Sequence, residues 1–440
     1  HRRHRDIRVH FTTGTDDNSL KNVVAAARER LPTRTFVDRN AAAFRALVPL
    51  LGITIDDFIS TSTDPRHAPI VNWLWHACAA NGDLYRRAWH GRYCAGCEAF
   101  VDDDVTICPE HDTEPEPVTE DNWFFRLSRY ADAIRDAITS NRVRIVPDSA
   151  RTETLAFLAG PVHDLSVSRD VTRAQGWGIP VPDDPSQVIY VWFDALANYL
   201  TVVGLDGWRA LVDRTHVIGK GITRFHAVYW LAFLLSANLP LPENIFVHGY
   251  LTVDGYKISK SGRHRVAVPP IVDEAGLSAL RWFFIRHCRT RADADVSIDA
   301  ILHAHNRDLV DGLGNLVQRC CVLGAKLGGI PRRPAPAVAT ALASRVDAAL
   351  ATFAPDEAAT AIVELVTSAN RQLEATAPWR VAKTDPQAAA ELLAGPLEIA
   401  RIVAHELVPF VPEIADVIAN RIRAGGDGPP PLARRTRAAV

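Results

Sequence analysis

A chain of 440 residues with 48% apolar content can bury several cores, which excludes a disordered tail and points to two to four domains. Its formal charge of -2 offers no net field for a polyanion, so RNA would have to be met by local basic patches. No apolar run reaches the roughly 18 residues of a membrane span and no signal-peptide pattern opens the chain, so it reads as soluble and cytoplasmic. Seven cysteines, an odd number with three in one cluster, fit a reducing compartment better than a secreted disulfide scaffold. There is no methionine, and the sequence starts at His1. A trimmed sequence plus chance accounts for this, and so does a protein selected for synthesis when methionine is limiting.

In chain order, Ile7 to Phe11 reads as a short strand that ends in a small-residue turn carrying Asp16 and Asp17. In an open parallel sheet that carboxyl edge is where ligands bind. Helices are expected over Asn22–Leu31 and Asn40–Leu51, the second with Phe44, Leu47 and Leu51 on one stripe. From about 64 to 140 the pattern changes to an insertion. Alternation then resumes with three apolar β-rich runs, Val188–Leu196, Thr215–Lys220 and Asn244–Leu251, between helical stretches. After about Ile301 the strands stop. Leu342, Val346, Leu350 and Phe353, then Ile362, Leu365, Val366 and Ala369, recur at helical spacing. Ile330 opens a Pro-rich loop, and the segment from Gly425 reads as a loose, flexible tail. The expected fold is α/β, a split Rossmann-type parallel sheet with a knuckle-bearing insertion, followed by an all-α bundle. The expected divisions are 1–63 and 141–265 for the halves of a nucleotide-binding domain, 64–140 for the insertion, 266–300 for a linker region, 301–424 for the bundle and 425–440 for the tail.

Within the insertion, Cys94, Cys97, Cys108 and His111 form two close ligand pairs. Three thiolates and an imidazole make a tetrahedral zinc shell with no open position, which is a structural site; the alternative is a metal-free relic. Cys78, Cys288, Cys320 and Cys321 suit apolar cores.

The stretch from Val217 to Arg265 carries a Gly219-Lys220 turn at a strand end, an aromatic helix with His226, and a loop in which Lys257 and Lys260 alternate with Ser259 and Ser261. Strand-end turns and cationic loops of this kind handle triphosphate. Together with TGTDDNS at Thr13, the knuckle at Cys94, YVWFDALANYL at Tyr190, GLGNLVQR at Gly312 and APWRVAK at Ala377, this resembles the methionyl branch of the class I aminoacyl-tRNA synthetases. Five blocks in one order, over nearly the whole chain, make the resemblance specific.

The resemblance implies that methionine and ATP, with Mg2+, form an enzyme-bound adenylate from which the acyl group passes to tRNA(Met). Asp16 would pair the substrate ammonium, its alternative being a turn-forming residue. Trp192, Ala195, Leu196, Tyr199, Ile222, His226 and Trp230 would line the amino-acid pocket, although aromatics at such spacing are otherwise plain core. Gly219, Lys220, Lys257, Ser259, Lys260 and Ser261 would bind ATP, with Lys260, assisted by Lys257, meeting the charge on the α-phosphate. Asn315, Arg319 and Trp379 would read the anticodon by hydrogen bonding and stacking, against the plainer reading of a capped helix and a buried tryptophan. A monomer without membrane association is expected.

Three departures stand out. The family's His-Ile-Gly-His signature has no counterpart, and HRRHRDIRV matches the end of its helix, so a preceding segment is expected. The usual Glu-His-Gly is Asp17, Asn18 and Ser19, and the acid expected after Gly-Lys is Gly221; losing that contact to the ATP ribose would cost about 1.5 to 3 kcal/mol. Ile258 in place of the loop's Met conserves volume. These departures leave open a rival, a non-catalytic tRNA-binding or regulatory paralogue, and a third reading in which another amino acid is activated.

Overall fold

The computed structural model describes residues 1–94, 99–101, 105–108, 113–258, 268–289, 291–426 and 428–435. The chain forms two compact units, one of residues 10–49 and 53–247, the other of residues 1–9, 50–52 and 248–440.

The first unit is built on parallel pairing. Thr12–Thr15 pairs in parallel with Asp57–Ser60, Thr12 opposite Asp57 and Thr15 opposite Ser60, and the connection runs through the helices Leu20–Arg28 and Thr33–Leu50. Ser19 caps the first of these, its hydroxyl accepting from the Lys21 N–H at 3.1 Å. A second parallel pair joins Arg144–Val146 to Asn244–His248, which also borders Thr215–Gly219. Its side chains Ile145, Ile218, Ile245, Phe246 and Val247 are all buried, as expected of strands covered on both faces. Trp230, Phe233, Phe125 and Phe193 fill the core around them together with Val71, Leu74 and Trp75 of the His67–Ala80 helix. That helix therefore belongs to the unit's core, and a hairpin follows it: Leu84–Cys94 runs antiparallel to Glu116–Phe125, with Leu84 opposite Phe125 and Tyr93 opposite Glu116.

A buried carboxylate fixes the base of that hairpin. Asp83 accepts from the Tyr130 hydroxyl, from Ser236 Oγ at 2.7 Å, Asn81 Nδ2 at 2.8 Å and Arg129 Nη1 at 2.9 Å. Burial pushes this carboxyl up, but the donors outweigh it and hold it below the usual range.

In the second unit, Leu251–Val253 and Tyr256–Lys257 form a tight hairpin, with Ala294–Asp295 in parallel on the other side. Among the described residues the remaining regular elements of this unit are helices, and prolines open Pro355–Thr376, Pro378–Val381, Pro386–Leu407 and Pro412–Ala424, where a missing N–H costs nothing. Leu342 and Val346 and the stripe Ile362, Leu365, Val366 and Ala369 are buried as their spacing predicts. Ten residues, His305–Gly314, form a π-helix, in which Asp308 accepts from Trp282 Nε1 at 3.1 Å and Arg307 Nε at 2.8 Å.

Four expectations are corrected. The first strand is Thr12–Thr15, whereas Ile7 and Phe11 are exposed; the parallel pairing partner begins opposite Thr12. In Val188–Leu196 the strand is Asp184–Ile189, which pairs antiparallel with Ser168–Asp170, and Val191–Leu196 is a helix, because a short continuous apolar run suits a buried helix as well as a strand. The second helix starts earlier, at Thr33, and buries Phe36 and Val37, while Phe44 is 41% exposed. The segment from Gly425 is docked across its described residues: Leu432 is buried, Asn306 exchanges hydrogen bonds with the Arg435 backbone at 2.7 and 2.9 Å, and the Gly428 carbonyl accepts from Gln318 at 2.8 Å.

Gly14 sits where the first parallel pair is tightest. A Cβ there would lie 2.1 Å from the Ile59 carbonyl oxygen, a backbone atom that cannot step aside. Gly14→Ala is expected to destabilise the protein by at least about 1–3 kcal/mol, read as a lower urea midpoint with an unchanged slope.

Candidate functional site

The turn after Thr12–Thr15 is pinned from both sides. Asp17 accepts from the Ser60 hydroxyl and from Ser62 Oγ at 3.0 Å, its own N–H donates to Thr61 Oγ1 at 2.9 Å, and its carbonyl accepts from Trp177 Nε1 at 2.9 Å. Asn18 donates to Asp194 Oδ2 at 2.7 Å. Asp17 and Asn18 are thereby buried, and Asp16, just before them at the carboxyl edge of the strand, stays exposed. An exposed carboxylate on a fixed turn is suited to pair a substrate cation.

The Asn18 contact sets this turn beside the helix Val191–Leu196, which carries Trp192, Ala195 and Leu196. Trp192 stacks flat on Phe225, ring centroids 3.8 Å apart and planes at 5°. Tyr199 and His226 meet head to head, hydroxyl to Nε2 at 2.7 Å, while His226 Nδ1 lies 3.0 Å from the Ile222 carbonyl. A carbonyl only accepts, so Nδ1 carries the hydrogen, and Nε2 of the neutral ring accepts from Tyr199. Trp230 donates to His216 Nε2 at 3.1 Å, and the His216 ring lies 4.1 Å from that of Tyr199. Burial pushes His226 down to about 4 and His216 well below its ordinary value, while it drives the Tyr199 hydroxyl up. The result is an aromatic wall of neutral rings, with Trp230, His226 and His216 buried. Trp192, Tyr199, Ile222, His226 and Trp230 are thus brought together. Phe225, His216, Asp194 and His67 were not singled out in the sequence, although a carboxylate inside the apolar run VWFDAL was a signal for a buried, paired acid.

Gly219 ends the Thr215–Gly219 strand and Lys220 follows it, exposed, in a single 3-10 turn with Gly221 and Ile222. Lys257 lies in the second strand of the hairpin, whose turn residues Asp254 and Gly255 have φ of 53° and 76°, the pairing a two-residue primed turn requires. Asp295 fastens this turn by accepting from the Gly255 N–H at 3.0 Å and Thr252 Oγ1 at 2.8 Å, which hold its carboxyl below the ordinary range. Ser259, Lys260 and Ser261 lie outside the described residues.

In the helical unit the π-helix runs directly into Asn315–Lys326. Asn315 and Arg319 sit one turn apart, Asn315 exposed. The Arg319 guanidinium lies 4.5 Å over the Trp379 ring and 2.8 Å from Glu374 Oε1, and the indole is 36% exposed. Trp379 is therefore a surface platform and not a buried core residue. In the knuckle hairpin, Cys94 closes its strand opposite Ala99 and Cys108 donates its N–H to the Thr113 carbonyl at 2.8 Å, both buried. Cys97 and His111 lie outside the described residues. Cys78, Cys288, Cys320 and Cys321 are buried thiols, and burial pushes the first three up to about 12; they are inert packing groups.

The family model for class I tRNA synthetases (M) matches residues 1–115 and 110–321, and that for the anticodon binding domain of methionyl tRNA ligase matches residues 335–432. The chain is 38% identical over 442 aligned positions to the methionine–tRNA ligase of Brucella melitensis, covering 95% of this chain and 85% of that protein. It is 36% identical to the methionine–tRNA ligase of Thermosynechococcus vestitus, over 94% of this chain and 82% of that one. The structure of Mycobacterium tuberculosis methionyl-tRNA synthetase bound by methionyl-adenylate superimposes with a TM-score of 0.86 at 34% identity, covering 95% of this chain and 87% of that one.

The neutral aromatic wall has a pH signature. His226 titrates near 4 in the folded chain, against an ordinary 6.5, so between those values the unfolded chain binds protons that the folded one refuses. Stability is expected to be lost as pH falls from 6.5 to about 4 and to level off for this group below that. Urea midpoints measured across this window should drop, and the drop should be shallower in His226→Gln.

Proposed function

This chain belongs to the methionyl-tRNA synthetase family of class I aminoacyl-tRNA ligases, and from that premise we propose how its residues divide the work of charging tRNA(Met) with methionine. The methionine carboxylate attacks the α-phosphorus of ATP and pyrophosphate leaves. A ribose hydroxyl of the terminal adenosine of the tRNA then attacks the acyl carbon, and AMP leaves. The observation that supports methionine as substrate is the Tyr199–His226 pairing: the polar tips of the pocket are satisfied by each other, which leaves apolar surface for a linear thioether.

Asp16 pairs the ammonium, and Trp192, Ala195, Leu196, Tyr199, Ile222, His226 and Trp230 enclose the side chain. Gly219, Lys220, Lys257, Ser259, Lys260 and Ser261 hold ATP, whose phosphates bring Mg2+ with them. Lys260, assisted by Lys257, stabilises charge on the α-phosphate as the leaving bond lengthens. Asn315 and Arg319 hydrogen bond to anticodon base edges, and Trp379 offers its indole to an unpaired base. The nucleotide-binding domain comprises 1–63 and 141–265, the knuckle insertion lies within 64–140, 266–300 links to the bundle, and 301–424 is the anticodon-reading part. The protein works as a cytoplasmic monomer.

Zinc suits the knuckle's donor set. Cys94 and Cys108 are buried thiols beside hairpin turns, and with Cys97 and His111 they would supply a closed tetrahedral shell that holds the knuckle together and takes no part in the reaction.

Methionine-dependent ATP–pyrophosphate exchange tests the whole assignment, and tRNA binding without exchange would establish the non-catalytic paralogue instead. Lys260→Ala is expected to lower the exchange rate by about 10²–10³-fold. Trp379→Ala should leave exchange intact and weaken tRNA(Met) binding by about 10- to 100-fold in a filter-binding titration. Elemental analysis should find one zinc per chain, lost in Cys94→Ser.

A further inference from the structure

Two consecutive residues of the Asp16 turn make different sets of contacts. Asp17 is fastened to the neighbouring strand by Ser60 and Ser62. Asn18 Nδ2 lies 3.5 Å from the Thr61 carbonyl oxygen and also reaches a helix 176 positions away in sequence, giving a hydrogen to Asp194 Oδ2 at 2.7 Å. Asp194 is fully buried and stands on the Val191–Leu196 helix between Trp192 and Ala195. Its other oxygen is 2.5 Å from His67 Nε2, and His67 Nδ1 is 2.9 Å from Thr201 Oγ1. The Thr201 hydroxyl gives its hydrogen to the Ala197 carbonyl at 3.1 Å, so towards His67 it can only accept, and Nδ1 must donate. A proton therefore also lies between Nε2 and the carboxylate. Asp194 thus accepts from an imidazole on one side and from an amide on the other, and a buried carboxylate that lost either donor would be left with an unpaired oxygen.

We propose that Asn18 is a positioning residue for the ammonium anchor. Through Asp194 it ties the turn that carries Asp16 to the helix that carries Trp192 and Ala195, and so sets the spacing between the carboxylate that takes the substrate's ammonium and the wall that takes its side chain. The family pattern has a histidine at this position, and Asn18 keeps the N–H donor while removing a second titratable ring from beside Asp194. The negative charge of Asp194 is then shared with His67 alone, and the link to the turn is a neutral donor of fixed length. Asn18 borders both cavities that flank the turn, one with Tyr93, Arg169 and Tyr190, the other with Arg34, Ser62 and Trp177; a slip of this residue would move the turn relative to both. The inference rests on Asp16 being the ammonium anchor.

The test compares three ligands by calorimetry on the whole chain: methionine; methioninol, which keeps the ammonium and lacks the carboxylate; and 4-(methylthio)butanoate, which lacks the ammonium. Asn18→Leu, which keeps the branching at Cγ and removes the donor, is expected to weaken methionine and methioninol by about tenfold and to leave 4-(methylthio)butanoate within about twofold. Asn18→His, which restores an N–H donor, should recover most of the loss. Asn18→Ala serves if the leucine variant does not fold, with the same expected pattern. Equal weakening of all three ligands, or a lower melting temperature with no change in binding, would assign Asn18 a purely structural role and overturn the proposal. Asp16→Asn separates the two layers. If it weakens methionine and methioninol while the Asn18 variants do not, the inference falls and the anchor stands; if Asp16→Asn changes nothing, the anchor reading falls and the inference with it.

Discussion

A carboxylate with no access to water has to be answered by donors, and in the α/β unit Asp194 is the one on which the site depends. Its partners come from two other places in the sequence, Asn18 after the first strand and His67 at the start of a core helix, while Asp194 itself stands on a third segment. Hydrophobic burial could tolerate small slips among these segments, because apolar contact is not directional. Hydrogen bonds of 2.5 and 2.7 Å to one buried group cannot. The aromatic wall and the acidic turn hold a fixed spacing for this reason, and the remaining polar contacts of the turn, from Ser60, Ser62 and Trp177, reinforce it.

A similar device recurs wherever the chain must place a loop accurately. Asp83 gathers four donors under the knuckle hairpin, and Asp295 fastens the primed turn ahead of the lysine loop. Asp308 does so within the π-helix that leads into Asn315 and Arg319. In each case an acid, buried at Asp83 and Asp308 and exposed at Asp295, is tied to donors that include a distant segment. The apolar strands and helices make the scaffold, and these carboxylates fix the angles at which its loops leave it.

Much of this was legible in the sequence, and the limits are physical. Long periodic helices such as Pro355–Thr376 announced themselves, because one-sided burial imposes a 3.6-residue repeat. The motif blocks located Trp192, Tyr199, His226, Arg319 and Trp379, and the structure puts the first three in one cluster and the last two in contact. The VIYVWFDAL run was misread because continuous apolarity carries no period, and the first strand was placed too early because register depends on a partner 45 residues away. The docking of the segment after Gly425 was hidden by its composition: glycine and proline suggest looseness, while the contacts that hold it are largely backbone groups, which every sequence has, with Leu432 the one buried apolar side chain among its described residues. His67 was silent because nothing nearby in the chain marks a histidine as the partner of an acid 127 positions on.

The Tyr199–His226 bond has a consequence for discrimination. In the pocket proposed above, a competing amino acid with an amide or hydroxyl in its side chain would find the Tyr199 hydrogen and the His226 Nε2 lone pair already paired with each other, and would give up its own water for little in return. Rejection of polar rivals thus follows from self-sufficiency of the lining and needs no clash. The same lining has little with which to tell a sulfur atom from a methylene of similar bulk, so fidelity against a straight aliphatic chain of equal length would have to come from shape and from how scarce that rival is in the cell.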